Sequence, residues 1–296
     1  MIRNLPKAAT VPDPATKPTP SRLARTRQDA HPGFPMKGNS KRFVSGSAFA
    51  AAAFLLASST AAFAQPPAAP PGGGRGRGPM IGGPGSPTAD GSRAVTDGGI
   101  KVAGWSGKVD AGEEKAGMTI NDAKLAQEGD ALHVTTGPAT TYWKTGAKAS
   151  GDYTVKATFN EPKYMNLNTH PHPYGIFIAG NDMGTPDQTD LYCGANGNGN
   201  FIVRGFGPAP FQMNGRGQAN EAIHKAAGKG EPVTQDIALS VKGDKVECSI
   251  NGTVVASYDK SALVIDGKLK STDGAYGVRF AHNTDVIVTG LTMTKN

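Results

Sequence analysis

Several groups of side chains in this chain have the types and spacing to do chemistry. In His170-Pro171-His172-Pro173 two imidazoles stand two residues apart, so an extended backbone places both on one side. With Asp182, Asp187 or His282 as a further donor they could ligate a divalent metal, for which neutral imidazole is a common ligand. The plainer alternative is a stiff proline-rich turn carrying exposed histidines. His282-Asn283-Thr284-Asp285 falls at an expected turn between the last two strands. There a His, an Asn and an Asp could bind sugar hydroxyls or form a base with its orienting partner, or simply make the turn. Arg204 and Arg216 could donate planar hydrogen bonds to a carbohydrate or a carboxylate. Asn181, Asp182, Asp187 and Asp190, with Asn196, Asn198 and Asn200 nearby, offer hard oxygen donors that suit Ca2+, against an ordinary Gly-Asn-Gly-Asn hairpin turn. Tyr142, Trp143, Tyr174 and Tyr192 could supply flat apolar faces with a polar handle.

The elements that must position these groups are strands. In Gly151-Asp152-Tyr153-Thr154-Val155-Lys156-Ala157-Thr158-Phe159, the residues Tyr153, Val155, Ala157 and Phe159 share one face and the polar residues the other. That alternation marks a half-buried antiparallel strand. Near the C-terminus, residues 237–241, 245–250 and 253–258 alternate in the same way, separated by Gly243-Asp244 and Asn251-Gly252. Asn-Gly between two strand patterns is a hairpin signal, because both residues tolerate the positive φ of a type I′ turn. Further strands are expected at 117–120, 132–135, 142–144, 174–179, 190–195, 200–204, 275–282 and 285–293. About twelve short strands with almost no helical periodicity form a two-sheet sandwich or a barrel, and the sandwich is preferred. Two connections interrupt the rhythm, at 160–173 and 205–232. The second has room for one helical turn, at 221–227, and carries Phe206, Phe211 and Met213. Loops beyond about 12–15 residues are uncommon in compact domains unless functional or disordered. Cys193 and Cys248 both lie on buried strand parity and are expected to be two buried thiols.

Upstream of this domain the pattern changes. Lys37, Lys41 and Arg42 precede a short Ala-rich apolar run from Phe43 to Leu56, and Ala62-Phe63-Ala64 precedes Gln65. Basic, then apolar, then small is the layout of a secretory signal peptide. Residues 36–64 are therefore expected to be such a leader, cleaved near Ala64/Gln65, with export to the periplasm or beyond. Residues 1–35 read as an upstream extension, 65–98 as a disordered Pro/Gly linker, and 99–296 as one globular domain. The chain carries a net +7, yet residues 1–64 hold nine bases and two acids, which is the whole excess. The remainder has 22 of each sign, so no electrostatic case for nucleic acid or an anionic membrane survives. No integral span is expected after processing.

The segment 233–296 resembles the C-terminal meander of the concanavalin A-like lectin and glucanase sandwiches, especially the bacterial secreted 3-keto-disaccharide hydrolase domains. The residues that carry the likeness are Ile237-Ala238-Leu239-Ser240-Val241-Lys242-Gly243, Val246-Glu247-Cys248-Ser249-Ile250-Asn251-Gly252, Gly277-Val278-Arg279-Phe280-Ala281-His282 and Val286-Ile287-Val288-Thr289-Gly290-Leu291. Upstream, Gly151-Asp152-Tyr153-Thr154-Val155, Tyr174-Gly175-Ile176-Phe177-Ile178 and Ala103-Gly104-Trp105 are similar to other strands of that group. The resemblance implies an all-β, two-sheet antiparallel jelly-roll sandwich. It also implies a carbohydrate or sugar-derived ligand, either bound or processed. On the enzyme alternative, His170, Asp182 and His282 serve as acid and base, while His172, Tyr174, Asn181, Arg204 and Asn283 hold the substrate. A third alternative is a structural or interaction domain of the cell envelope. The chain departs from the related endoglucanases, whose Glu-x-Asp-x-x-Glu strand is absent; Glu113-Glu114 and Asp187/Asp190 lack that spacing. No cofactor is expected apart from the Ca2+ alternative.

Overall fold

The computed structural model describes residues 91–296. The expected leader, the upstream extension and most of the Pro/Gly segment lie outside the described residues. The elements in chain order are β1 (Gly99–Ile100), β2 (Trp105–Val109), α1 (Ala111–Lys115), a 3-10 turn (Ile120–Asp122), β3 (Lys124–Glu128), β4 (Ala131–Thr135), β5 (Thr140–Ala149), β6 (Tyr153–Glu161), β7 (Tyr174–Asn181) and β8 (Thr189–Asn196). Then come β9 (Asn200–Phe206), β10 (Phe211–Gln212), β11 (Gln218–Ala219), β12 (Val233–Lys242), β13 (Lys245–Ile250), β14 (Thr253–Asp259), α2 (Lys260–Leu263), β15 (Gly274–Phe280) and β16 (Asp285–Lys295).

The strands form two sheets. The first runs β1-β3-β4-β16-β6-β12-β13-β14, and the second β10-β9-β8-β7-β15-β5-β2 with β11 also on β9. Apart from the two-residue β1, which pairs parallel with β3, neighbouring strands are antiparallel. This is the two-sheet sandwich that the alternation predicts. Tyr153, Val155, Ala157 and Phe159 of β6 are buried as their parity requires. They face Tyr174, Ile176 and Ile178 of β7 and Val278 and Phe280 of β15 in one core. Phe159 ties the layers together, its ring 5.9 Å from that of Tyr174 and 6.3 Å from that of Phe280. Burying a side chain of this size contributes about 1.5–3 kcal/mol. The β13–β14 hairpin turns as its Asn-Gly demands, with φ of 49° at Asn251 and 81° at Gly252.

Three expectations are corrected. Cys193 and Cys248 are not two thiols: they form a disulfide, with Cα atoms 6.3 Å apart. Cys193 points inward from β8 and Cys248 inward from β13, so the bond joins one sheet to the other across the core. The parity argument found their burial but could not place the two strands opposite each other. Residues 117–120 are not a strand but the approach to the 3-10 turn. There Thr119 accepts from Asn121 N at 3.2 Å, and Asp122 accepts from Thr119 N at 2.7 Å. This reciprocal pair is a capping box, a local preference that outweighs a short apolar pattern. The helical turn expected at 221–227 is irregular instead. Its backbone is held from outside, with His224 N donating to Gln235 Oε1 at 3.1 Å and Ala226 N to Gly197 O at 2.8 Å.

The long connection 205–232 does not project as a free loop. Phe211 pairs with Gly205 and Gln212 with Arg204, while Gln218 pairs with Phe201. The segment thus folds back along β9 and widens the second sheet at its edge.

Candidate functional site

The second sheet has an outward face as well as a core face. Strand alternation that sends Tyr174, Ile176, Leu191, Cys193, Val203 and Val278 inward sends their neighbours outward. Strand register then aligns Arg204, Tyr192, Phe177, Gly277 and Trp143 in one row across β9, β8, β7, β15 and β5. Trp143, Phe177, Tyr192 and Ile202 form a small apolar cluster there, separate from the main core. Gly194 has to be glycine, since a Cβ would lie 2.1 Å from the Tyr192 hydroxyl oxygen.

Two arginines and two carboxylates stand around Tyr192 on this face. Arg279, 5% exposed, donates to Asp110 Oδ2 at 2.6 Å and to Thr141 Oγ1 at 2.7 Å. Its guanidinium carbon lies 3.7 Å from the Phe206 ring centroid and 5.7 Å from that of Tyr192, and Arg204 lies 4.8 Å from the same Phe206 ring. Stacking of this kind suits the planar, weakly hydrated guanidinium. Burial would lower the Arg279 pKa, but the charge and hydrogen bond of Asp110 override it and raise the value. Burial lowers that of Arg204, and the neighbouring Arg279 charge adds to the fall. Asp190 is fully buried beside them, accepts from Gln188 Nε2 at 2.9 Å, and is pushed up to about 6 by burial. Arg204 Nε, Tyr192 Oη and Asp190 Oδ1 are buried without a hydrogen-bond partner.

Two adjoining cavities of about 600 and 590 Å³ share Arg204, Arg279 and Asp110 as walls. The first is closed by Phe206 and Pro208, and the second extends past Tyr192 and Glu113 to His282. Together they make one groove along the outer face.

The sequence-predicted residues divide among four places. Arg204 lines the groove. His170, His172 and His282 come together at its far end, with their ligating atoms all within 4.8 Å of one another. His170 Nε2 and His172 Nε2 are 2.8 Å apart, and the His172 and His282 rings stack at 4.1 Å. Asn283 sits under this cluster at φ 52°, accepting from Arg93 N at 3.2 Å and donating to Gly91 O at 3.2 Å. Asp182 and Asn181 lie elsewhere. They end β7, whereas His172 precedes its start, and eight strand residues span roughly 26 Å. Asp182 is paired with Lys270, and Asn181 donates to Ala179 O and Asp273 O at 3.0 Å. Tyr174 and Tyr142 are fully buried in the main core, so neither presents a face to the groove.

The sequence points to Phe206 through the long connection 205–232, but does not single out Arg279 or Asp110 as site residues. A signal for Arg279 was present: it stands between Val278 and Phe280 in an otherwise apolar strand, and a buried Arg needs a partner. Asp110 carries no such signal, because it is brought in from the segment after β2.

No family model matches the chain, and no curated protein matches it. Among solved structures it is similar to the carbohydrate-binding module CBM66 from Bacillus subtilis, at 8% identity over 66% of this chain and 98% of that one, TM-score 0.42. It is also similar to a Bacillus subtilis protein of unknown function with a galectin-like fold, at 12% identity over 64% and 89%, TM-score 0.44. A third is the endo-beta-1,3-glucanase from Pyrococcus furiosus, at 10% identity over 62% and 85%, TM-score 0.40.

Proposed function

We propose that the groove on the outer face of the second sheet binds a carbohydrate or a related polyol, in a domain that works outside the cytoplasm. The observation that carries this reading is the Arg204–Tyr192 pair. These residues are register partners on adjacent strands, and each holds a buried polar atom with no protein partner at the groove wall. Beside them, the Phe206 ring lines the adjoining cavity as an apolar wall. A sugar presents both features at once, hydroxyls at its rim and C–H groups on its face. Export is supported by the leader pattern of residues 36–64 and by the Cys193–Cys248 disulfide, a bond that persists in oxidising compartments. Among the described residues no helix is long and apolar enough to cross a membrane.

The test is a glycan array probed with the full chain and with Arg204→Gln. Binding to at least one glycan, weakened about tenfold or more in the variant, a loss of about 1.4 kcal/mol, is the expected result. No glycan bound by the native chain, or equal binding by the variant, contradicts the reading.

A further inference from the structure

We propose that His170, His172 and His282 form a binding site for one divalent transition-metal ion, of the Zn2+ class, at the end of the groove. The three imidazoles come from two separate segments, the connection before β7 and the turn between β15 and β16, yet their ligating atoms all fall within 4.8 Å. A tetrahedral zinc ion with Zn–N bonds of about 2.0–2.1 Å holds its nitrogens roughly 3.4 Å apart. The 2.8 Å separation of His170 Nε2 and His172 Nε2 is therefore close to what such an ion requires, and small side-chain rotations supply the rest.

The surroundings orient the rings as a metal site needs. His172 Nδ1 hydrogen-bonds to the carbonyl of His282, which assigns the proton to Nδ1 and turns the Nε2 lone pair toward His170. His282 Nδ1 lies 3.4 Å from Ser92 Oγ, and Ser92 donates to the Glu113 carboxylate at 2.9 Å. An imidazole backed through its second nitrogen by a carbonyl or a carboxylate is the outer arrangement that fixes the tautomer of metal-bound histidine.

The two segments are also held together independently of the imidazoles. Ala281 N donates to Pro173 O at 2.9 Å, and Asn168 Nδ2 donates to Asn283 O at 2.7 Å. Pro171 and Pro173 stiffen the backbone on either side of His172.

The donor set decides the ion. The donors that the described residues bring together are three imidazoles, which suit Zn2+, Co2+, Ni2+ or Cu2+ rather than Ca2+ or Mg2+, which take oxygen. His282 also lines the 590 Å³ cavity that holds Arg204 and Arg279, so the ion stands beside the proposed ligand groove.

The test uses the full chain made without a polyhistidine tag, stripped with EDTA and titrated with Zn2+ by calorimetry. Co2+ is followed by its visible absorption. One ion per chain is expected, with a Co2+ spectrum of tetrahedral intensity that Zn2+ abolishes and no binding of Ca2+ at this site. His170→Gln, whose ring is partly exposed, should weaken binding by about 100-fold or more, and Ser92→Ala by about tenfold as an outer partner. Should a variant fail to fold, the Co2+ spectrum of the native chain decides. A spectrum without tetrahedral character, or native Zn2+ binding no tighter than that of folded His170→Gln, overturns the site. Glycan binding measured in EDTA is read separately, so failure of one proposal leaves the other standing.

Discussion

Arg279 on β15 reaches past β5 to donate to Asp110, the residue that follows β2, across 2.6 Å. This contact closes the groove and fixes the guanidinium against Phe206. Arg279→Ala would strand a partly buried carboxylate and, beside it, the fully buried Asp190. Removing one partner of a buried ion pair costs about 3–5 kcal/mol. Urea denaturation should show a loss of that order, with a smaller loss for Arg279→Lys, which keeps the charge but not the planar stacking. An Arg279→Ala variant as stable as the native chain would show that the pair contributes nothing.

Cys193 and Cys248 close a loop with 55 residues of sequence separation. Constraint of the unfolded chain by such a loop stabilises by about 2–4 kcal/mol. Reduction, or the double change Cys193→Ala with Cys248→Ala, should lower the denaturation midpoint accordingly. Equal midpoints with and without reductant, or an intact mass that lacks the two-proton loss, would count against the bond.

His133 joins three strands, with Nε2 2.6 Å from Asp285 Oδ1 and Nδ1 2.6 Å from Glu128 Oε1. The bond to Asp285, with help from Glu128, raises its pKa from 6.5 to about 9 against the opposing effect of burial. The hydrogen bond from His133 in turn holds Asp285 below 3.8. A raised histidine contributes stability that is complete below its unfolded value of 6.5 and is lost as pH rises through about 9. The lowered Asp285 contributes above 3.8, and that share is lost as pH falls through its depressed folded value. Stability measured between pH 6 and 10 should therefore decline in the native chain, and His133→Gln should flatten that limb. An unchanged slope in the variant would assign the decline to other groups.

Glu161 ends β6 in a buried position, where it accepts from Met165 N at 3.2 Å. Burial pushes its carboxyl up to about 7 from 4.5. The folded state thus favours the protonated form. Its contribution is complete below 4.5 and lost as pH rises through about 7. Glu161→Gln should match the native chain near pH 4.5 and exceed its stability at pH 8, by on the order of 2–3 kcal/mol. A variant that is less stable at both pH values would show that the carboxylate is needed in its charged form.

Local pattern was enough for the sandwich because period-two alternation is a short-range property: β6, β12, β13 and β16 announce themselves residue by residue. Strands toward the rim of the first sheet, such as β3, bury only Leu125 among five residues, so their pattern is too weak to read. The histidine cluster was legible in part, since His170 and His172 are neighbours in sequence, and His282 was named with them. Asp182 was grouped with them because it is close in the chain. Yet an extended strand carries chain neighbours apart, and β7 separates Asp182 from the cluster by its whole length. The Arg279–Asp110 pair and the Cys193–Cys248 bond depend on which strands face or flank each other, which one chain's periodicity does not encode.

The most direct measurement on the proposed binding surface is a crystal structure of the full chain with the glycan that binds it most tightly. The sugar is expected in the groove, with hydroxyls within hydrogen-bond distance of Arg204 and Tyr192 and a ring face toward Phe206. A sugar seated instead on the first sheet, in the 500 Å³ cavity beside Thr158 and Asp236, would contradict it.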